Sequence, residues 1–176
     1  MQANVAQLLK ESTGATRTYD IDDAISADDG QECRVQGKVI LIRAARGILA
    51  KGYFTCQRQL TCGRCLTSFA HSSAFDVEEM FYPSIDILSG LPLALPDEDA
   101  ASSFTIDEHH ILDTSEMIRQ YSLLATPMKP LCRVDCAGLC PECGANLNEN
   151  KCHCVRSPRT ALAEALDEAE SRRKLG

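Results

Sequence analysis

One stretch of this chain decides what it can fold into. Residues 132–154 read CRVDCAGLCPECGANLNENKCHC, six cysteines in twenty-three residues, with no aromatic side chain and Val134 as the only β-branched residue. A segment so poor in apolar bulk cannot order itself around a hydrophobic core. Metal coordination supplies that order instead. Cys140-Pro-Glu-Cys143 is a knuckle in which two thiolates grip one ion, and Gly144 permits the tight turn behind them. Cys152-His-Cys154 closes the loop from the other side. Soft thiolates at this spacing favour zinc, held tetrahedrally with no open position. Cys140, Cys143, Cys152 and Cys154 are therefore the expected ligands of a structural zinc. A closed site builds structure and does no chemistry, which turns the reading away from an enzyme. His153 is an alternative donor, although its place inside a C-x-C turn favours outward exposure.

A second pair, Cys62-Gly-Arg-Cys65, admits three readings. A thioredoxin-type dithiol needs its first cysteine at a helix N-terminus, and the flanks RQLT and LTSFAH read as strand ends. The pair is alternatively half of a metal site, or a tight turn whose cysteines simply pack. Cys132 and Cys136 are left over from the first site, and pairing them with Cys62 and Cys65 gives a second four-cysteine site. Another partition moves Cys136 into the first site and frees Cys154. Cys33 and Cys56 fall on apolar strand faces and read as core residues.

The charge balance limits partners. The net charge is −7 before metal, and a four-thiolate zinc centre itself carries about −2. Bulk attraction to phosphate is therefore absent. Aromatics make up 5% of the chain and tryptophan is missing, so stacking platforms for bases are few. The basic residues nearest the cysteine segment are Lys129, Arg133, Lys151, Arg156 and Arg159. They read either as charge balance for the thiolates or as a small patch facing RNA or a partner protein. No nucleophile–base constellation, Gly-rich phosphate loop or GxSxG is present, and no small-molecule substrate is implied. The start, MQANVAQLLKESTG, has no apolar export region, and no run is long enough to span a membrane. A reducing cytosol is expected, where clustered thiols bind metal more often than they pair.

Periodicity predicts an α+β fold, a curved antiparallel β meander packed by helices, with the zinc-binding cluster C-terminal to it. Residues 1–14 predict a short helix carrying Val5, Leu8 and Leu9. Residues 20–30 are acidic and turn-rich and predict a surface loop. Cys33, Val35, Gly37, Val39 and Leu41 alternate on one strand face, with Ile40 and Ile42 suggesting cover on both sides near its end. Arg46-Gly47 predicts a hairpin turn. Ile48, Ala50, Gly52, Phe54 and Cys56 line the return strand, and a third strand runs from Phe69 to Tyr82. Residues 83–110 read as a long irregular segment, mobile or partner-binding. Asp113-Thr-Ser-Glu116 predicts a capping box opening a helix with Met117, Ile118, Tyr121, Leu124 and Ala125 as its stripe. The domain reading is 1–130 as the core, 131–156 as the zinc appendage and 157–176 as a final helix, in one compact unit.

NVAQLLKESTGATRTYD, CGRCL at 62–66, and LLATPMKPLCRVDCAGLCPECGANLNENKCHC together resemble the YceD-type family, named for accumulation of large-subunit (23S) ribosomal RNA. The resemblance runs from Asn4 to Arg159. It implies a cytoplasmic, non-enzymatic part in ribosome assembly or rRNA stability, with large-subunit rRNA or a large-subunit ribosomal or assembly protein as partner. Some relatives keep the C-x-R-C pair and lack the C-terminal cysteines, which implies that zinc elaborates the core role. The rival readings are a thiol redox protein using Cys62 and Cys65, and a general zinc-stapled adaptor.

Overall fold

The structure, a computed structural model, describes residues 1–26, 32–94 and 104–154. The helix expected over 157–176, Arg156 and Arg159, and the middle of the long segment at 95–103 lie outside the described residues. The chain divides into two compact units. One comprises Met1–Thr61 and Ser68–Pro130; the other comprises Cys62–Thr67 and the chain from Leu131 onward. The sequence reading places residues 62–67 in the first domain, whereas in the structure they group with the cysteine segment.

The first unit is built on a seven-stranded sheet. In chain order its elements are β1 (Gln2–Asn4), α1 (Ala6–Lys10), β2 (Thr16–Ser26), β3 (Glu32–Ala44), β4 (Gly47–Thr61), β5 (Ser68–Pro83), β6 (Phe104–Ile106), β7 (Ile111–Asp113) and α2 (Ser115–Leu124). The strand order is β1-β7-β6-β5-β4-β3-β2. Strands β2 to β5 form the expected antiparallel meander. β6 then pairs with β5 in parallel, through Phe81↔Phe104 and Pro83↔Ile106. The sheet is therefore curved and mixed, not purely antiparallel, and with two short helices the α+β label fits only loosely.

Alternation sets the register. Val35, Val39 and Leu41 on β3, and Ile48, Ala50, Phe54 and Cys56 on β4, are fully buried on one face. Phe75, Val77 and Phe81 of β5 continue that face. A one-residue slip would turn the whole set outward, so burial fixes the pairing. Gly37 and Gly52 make room for Phe54: a Cβ on either would collide with the Phe54 ring and with a neighbouring strand carbonyl. Cys33 and Cys56 are buried, their Cα atoms are 6.1 Å apart, and they are joined by a disulfide.

Several local expectations change. The acidic stretch from Asp20 is not a loop up to Ser26 but the edge strand β2, with only Ile21 fully buried. Its acids face cations on β3, Asp20 with Lys38 at 3.3 Å and Asp22 with Arg34 at 3.1 Å. Charged residues also suit an edge strand, because they discourage further pairing. Ile40 is 41% exposed, so β3 is not covered on both sides. The β3–β4 turn lies one residue earlier than expected, since Gly47 already pairs with Ala44 and a Cβ there would strike the Phe81 carbonyl. The long irregular segment contains β6 and a small hairpin with an Ile85↔Pro92 bridge.

The capping box is not made. Thr114 caps α2 without a side-chain bond, the Ser115 amide donates to Asp113 Oδ1 at 2.8 Å, and Glu116 instead accepts from Arg119. Met117 and Ile118 are buried while Leu124 is 81% exposed. Ser122 replaces it on the packed side, accepting from the buried Arg58 at 3.0 Å. The Tyr121 hydroxyl donates to Glu79 on β5 at 2.8 Å.

Candidate metal centre

The second unit contains all eight cysteines outside the disulfide. They fall into two groups of four, Cys62, Cys65, Cys132 and Cys136, and Cys140, Cys143, Cys152 and Cys154, with the sulfurs of each group within 4.8 Å of one another. This is the partition that leaves no cysteine of the segment free, and the exchange of Cys136 for Cys154 does not occur.

The two C-x-x-C pairs share one backbone design. In the C-terminal knuckle the Gly144 amide donates to the Cys140 carbonyl at 2.9 Å, and the Cys140 amide donates to the Ala145 carbonyl at 2.8 Å. In the other, Leu66 donates to the Cys62 carbonyl at 3.0 Å and Cys62 to the Thr67 carbonyl at 2.9 Å. The residue after the second cysteine is left-handed in both, Gly144 at φ 72° and Leu66 at φ 58°. Glycine takes that conformation freely, whereas leucine is strained in it. Leucine in the glycine position removes the turn signal that Gly144 gives the C-terminal pair. The surrounding turn contains no helix, which removes the helix N-terminus a thioredoxin-type pair requires.

The turn folds back to present amides to sulfur. The Arg64 amide donates to Cys62 Sγ at 3.5 Å, and the Cys154 amide to Cys152 Sγ at 3.3 Å. The backbone amides of Cys65 and then Cys132 hold the Cys62 thiol at about 6. Those of Cys143 and Glu142 bring Cys140 down to about 7. The opposite happens at the far member of each group. Burial, and then the Cys65 sulfur, push Cys132 up to about 12, and the Cys152 and Cys143 sulfurs push Cys154 up to about 12. Thiolates forming beside one another repel, so the last proton stays until a cation offsets the charge.

The donor set fits a tetrahedral ion. With metal–sulfur bonds of about 2.3 Å, sulfurs at the corners of a tetrahedron stand about 3.8 Å apart. The structure places Cys62 and Cys136 at 3.7 Å, Cys65 and Cys132 at 3.6 Å, and Cys143 and Cys152 at 3.5 Å. Cys140 and Cys152 are slightly closer, at 3.3 Å. Four sulfurs around a bound ion would fill a tetrahedral coordination sphere.

Several residues of this unit escaped sequence reasoning. The Arg64 guanidinium donates to the Cys136 carbonyl at 2.9 Å, and the Leu139 amide donates to the Arg64 carbonyl at 3.2 Å. Gly138, at φ 78°, lets the chain pass there, since a Cβ would lie 3.3 Å from the Arg64 carbonyl oxygen. Asn146 and Asn148 lace the loop between Cys143 and Cys152 to the segment carrying Cys136. Of the expected basic residues, Arg156 and Arg159 lie outside the described residues. Lys129 belongs to the sheet unit, and in the cysteine unit Arg133 is engaged with Asn148 and Asp135 while Lys151 is exposed.

The fold is thus a sheet unit and a second unit whose eight thiols gather in two groups of four, each able to hold a metal ion. Residues 50–166 match the family described as large ribosomal RNA subunit accumulation protein YceD, and the chain belongs to that family. The match includes both cysteine groups. Uncharacterized proteins of Mycobacterium bovis and of two Mycobacterium tuberculosis strains are 27% identical over 117 residues, covering 62% of this chain and 49% of theirs. The chain thus spans about half the length of these relatives. No solved structure matches it. Among the described residues, no helix is long and apolar enough to cross a membrane.

Proposed function

We propose that this protein is a non-enzymatic, cytoplasmic factor supporting accumulation of large-subunit (23S) rRNA during ribosome assembly, with zinc at both cysteine groups as structural cofactor. Family membership over residues 50–166 is the observation that carries the ribosomal part. The zinc part follows from donor chemistry, because all-thiolate tetrahedral sites select zinc over harder cations. The partner is large-subunit rRNA or a large-subunit protein. With a net charge of −7, the chain engages RNA through local contacts or through that protein, not by bulk attraction.

A redox role for Cys62 and Cys65 finds less support. The low Cys62 pKa accompanies three converging thiols and a turn whose twin carries Cys140, so it reads as ligand preparation. Deleting the gene tests the assignment: large-subunit rRNA should fall relative to small-subunit rRNA and large-subunit particles should decline. Unchanged ratios and normal profiles would contradict it.

A further inference from the structure

We propose that Asn148 couples the two cysteine centres, so that closing the C-terminal one completes the other. The inference rests on reading both groups as metal sites. Asn148 lies in the loop between Cys143 and Cys152, whose sulfurs are nine residues apart in sequence and 3.5 Å apart in space. Binding a metal there pins this loop locally. The other centre needs partners 67 and 74 residues apart, Cys65 with Cys132 and Cys62 with Cys136. Its completion depends on how the 132–137 segment is held.

Asn148 does that holding with both ends of its amide. Its Nδ2 donates to Cys136 Sγ at 3.4 Å and to Asn146 Oδ1 at 2.7 Å. Its Oδ1 accepts from the Ala137 amide at 2.8 Å and from the Arg133 guanidinium at 2.6 Å. Arg133 and Ala137 directly follow the two ligands Cys132 and Cys136. One side chain thus clamps both ends of the C-x-x-x-C turn and gives a proton donor to one sulfur. Its own backbone is fixed by donating to Asn146 Oδ1 at 3.1 Å. Asn146 in turn forms a bridge with Leu139, beside Cys140. The path from one centre to the other is continuous through hydrogen bonds. A donor to a ligating sulfur stabilises the thiolate, and losing such outer contacts costs about 10–100-fold in metal affinity.

Cobalt(II) titration of the full chain reads each centre through its thiolate-to-metal absorption. Cys65→Ser isolates the C-terminal centre, and in the chain with both centres intact the remaining signal reports the Cys62-containing one. Asn148→Ala should weaken the Cys62-containing centre about tenfold or more while the C-terminal centre keeps its affinity, which also reports that the segment has folded. Asn148→Asp keeps the acceptor oxygen for Ala137 and Arg133 and loses the donor to sulfur. It should fail to restore the affinity lost in Asn148→Ala, whereas a purely structural clamp would be rescued. Cys143→Ser should weaken the Cys62-containing centre as well, and adding Asn148→Ala to it should cost little more. Two cobalt equivalents with an unaltered Cys62-containing centre in Asn148→Ala would overturn the coupling alone. Equal weakening of both centres would overturn it too. A wild-type chain taking up only one equivalent would overturn the two-centre reading and the coupling with it.

Discussion

The sheet unit and the cysteine unit solve the same problem with different materials. The first buries long apolar rows, and Phe54, Phe81, Leu41, Ile48 and Val39 are essentially inaccessible. The second has among its described residues almost no buried side chain except its own cysteines, Cys62, Cys65, Cys136 and Cys140. Val134 and Leu66, two of its larger apolar residues, are exposed. Hydrophobic burial scales with apolar area and needs no bound ion. A thiolate cluster is repulsive without its cation, and metal binding there is folding free energy. With metal in the proposed sites, one unit is stable by composition and the other by stoichiometry.

The strongest way to break that contrast is to remove the metal. A chelator strong enough to strip zinc should abolish amide-exchange protection around Cys140, Leu147 and Asn148 and leave it in β3, β4 and β5. The binding energy withdrawn is on the order of 10–16 kcal/mol for a structural zinc site. Equal loss of protection in the strands would show that the sheet also depends on metal. The converse perturbation is Phe54→Ala. The ring packs 5.9 Å from Phe75 and fills the space left by Gly37 and Gly52, so its loss should destabilise the sheet unit by about 3–5 kcal/mol. Denaturant unfolding followed at the sheet should show this, while zinc content stays unchanged.

What sequence reasoning could see follows the same division. Strands β3, β4 and β5 were legible because strict alternation leaves one register. The C-terminal cysteine group was legible because its spacing is local. β2 was hidden by acids that pair with cations on β3, a cross-strand match that shows only once the register is known. β6 and β7 are three residues each, too short for a period. The long-range pairing of Cys62 and Cys65 with Cys132 and Cys136 had been one of three readings, because spacing alone cannot say which distant pairs meet. Asn148 gave no signal, as asparagine in a polar loop is usually a turn residue.

Smaller perturbations sharpen the comparison within each unit. Leu66→Gly should release the left-handed strain in the first knuckle. The gain is about 0.5–1 kcal/mol after glycine's added unfolded-state freedom is deducted. It should appear as slower zinc transfer to a chelator, and faster transfer would show that leucine contributes contacts of its own.

The least effect is expected at Asp113, beside the β1–β7 pair. Partial burial favours its protonated form. The Ser115 hydroxyl and amide and the Gln2 side chain outweigh burial and hold the carboxyl at about 2. A carboxyl lowered in the folded state stabilises above its unfolded value, and that contribution is lost as pH falls. The sheet's melting temperature should therefore drop between about pH 4 and 2, and less steeply in Asp113→Asn. Identical slopes would show that the carboxylate contributes nothing to stability.

Counting metal ions tests the central claim most directly. Native mass spectrometry of the chain, purified without chelator and compared with its acid-denatured form, should show two zinc ions per molecule. The eight clustered cysteines should resist alkylation until the metal is removed. A chain carrying one metal ion or none, or whose clustered cysteines alkylate freely in the native state, would contradict the account.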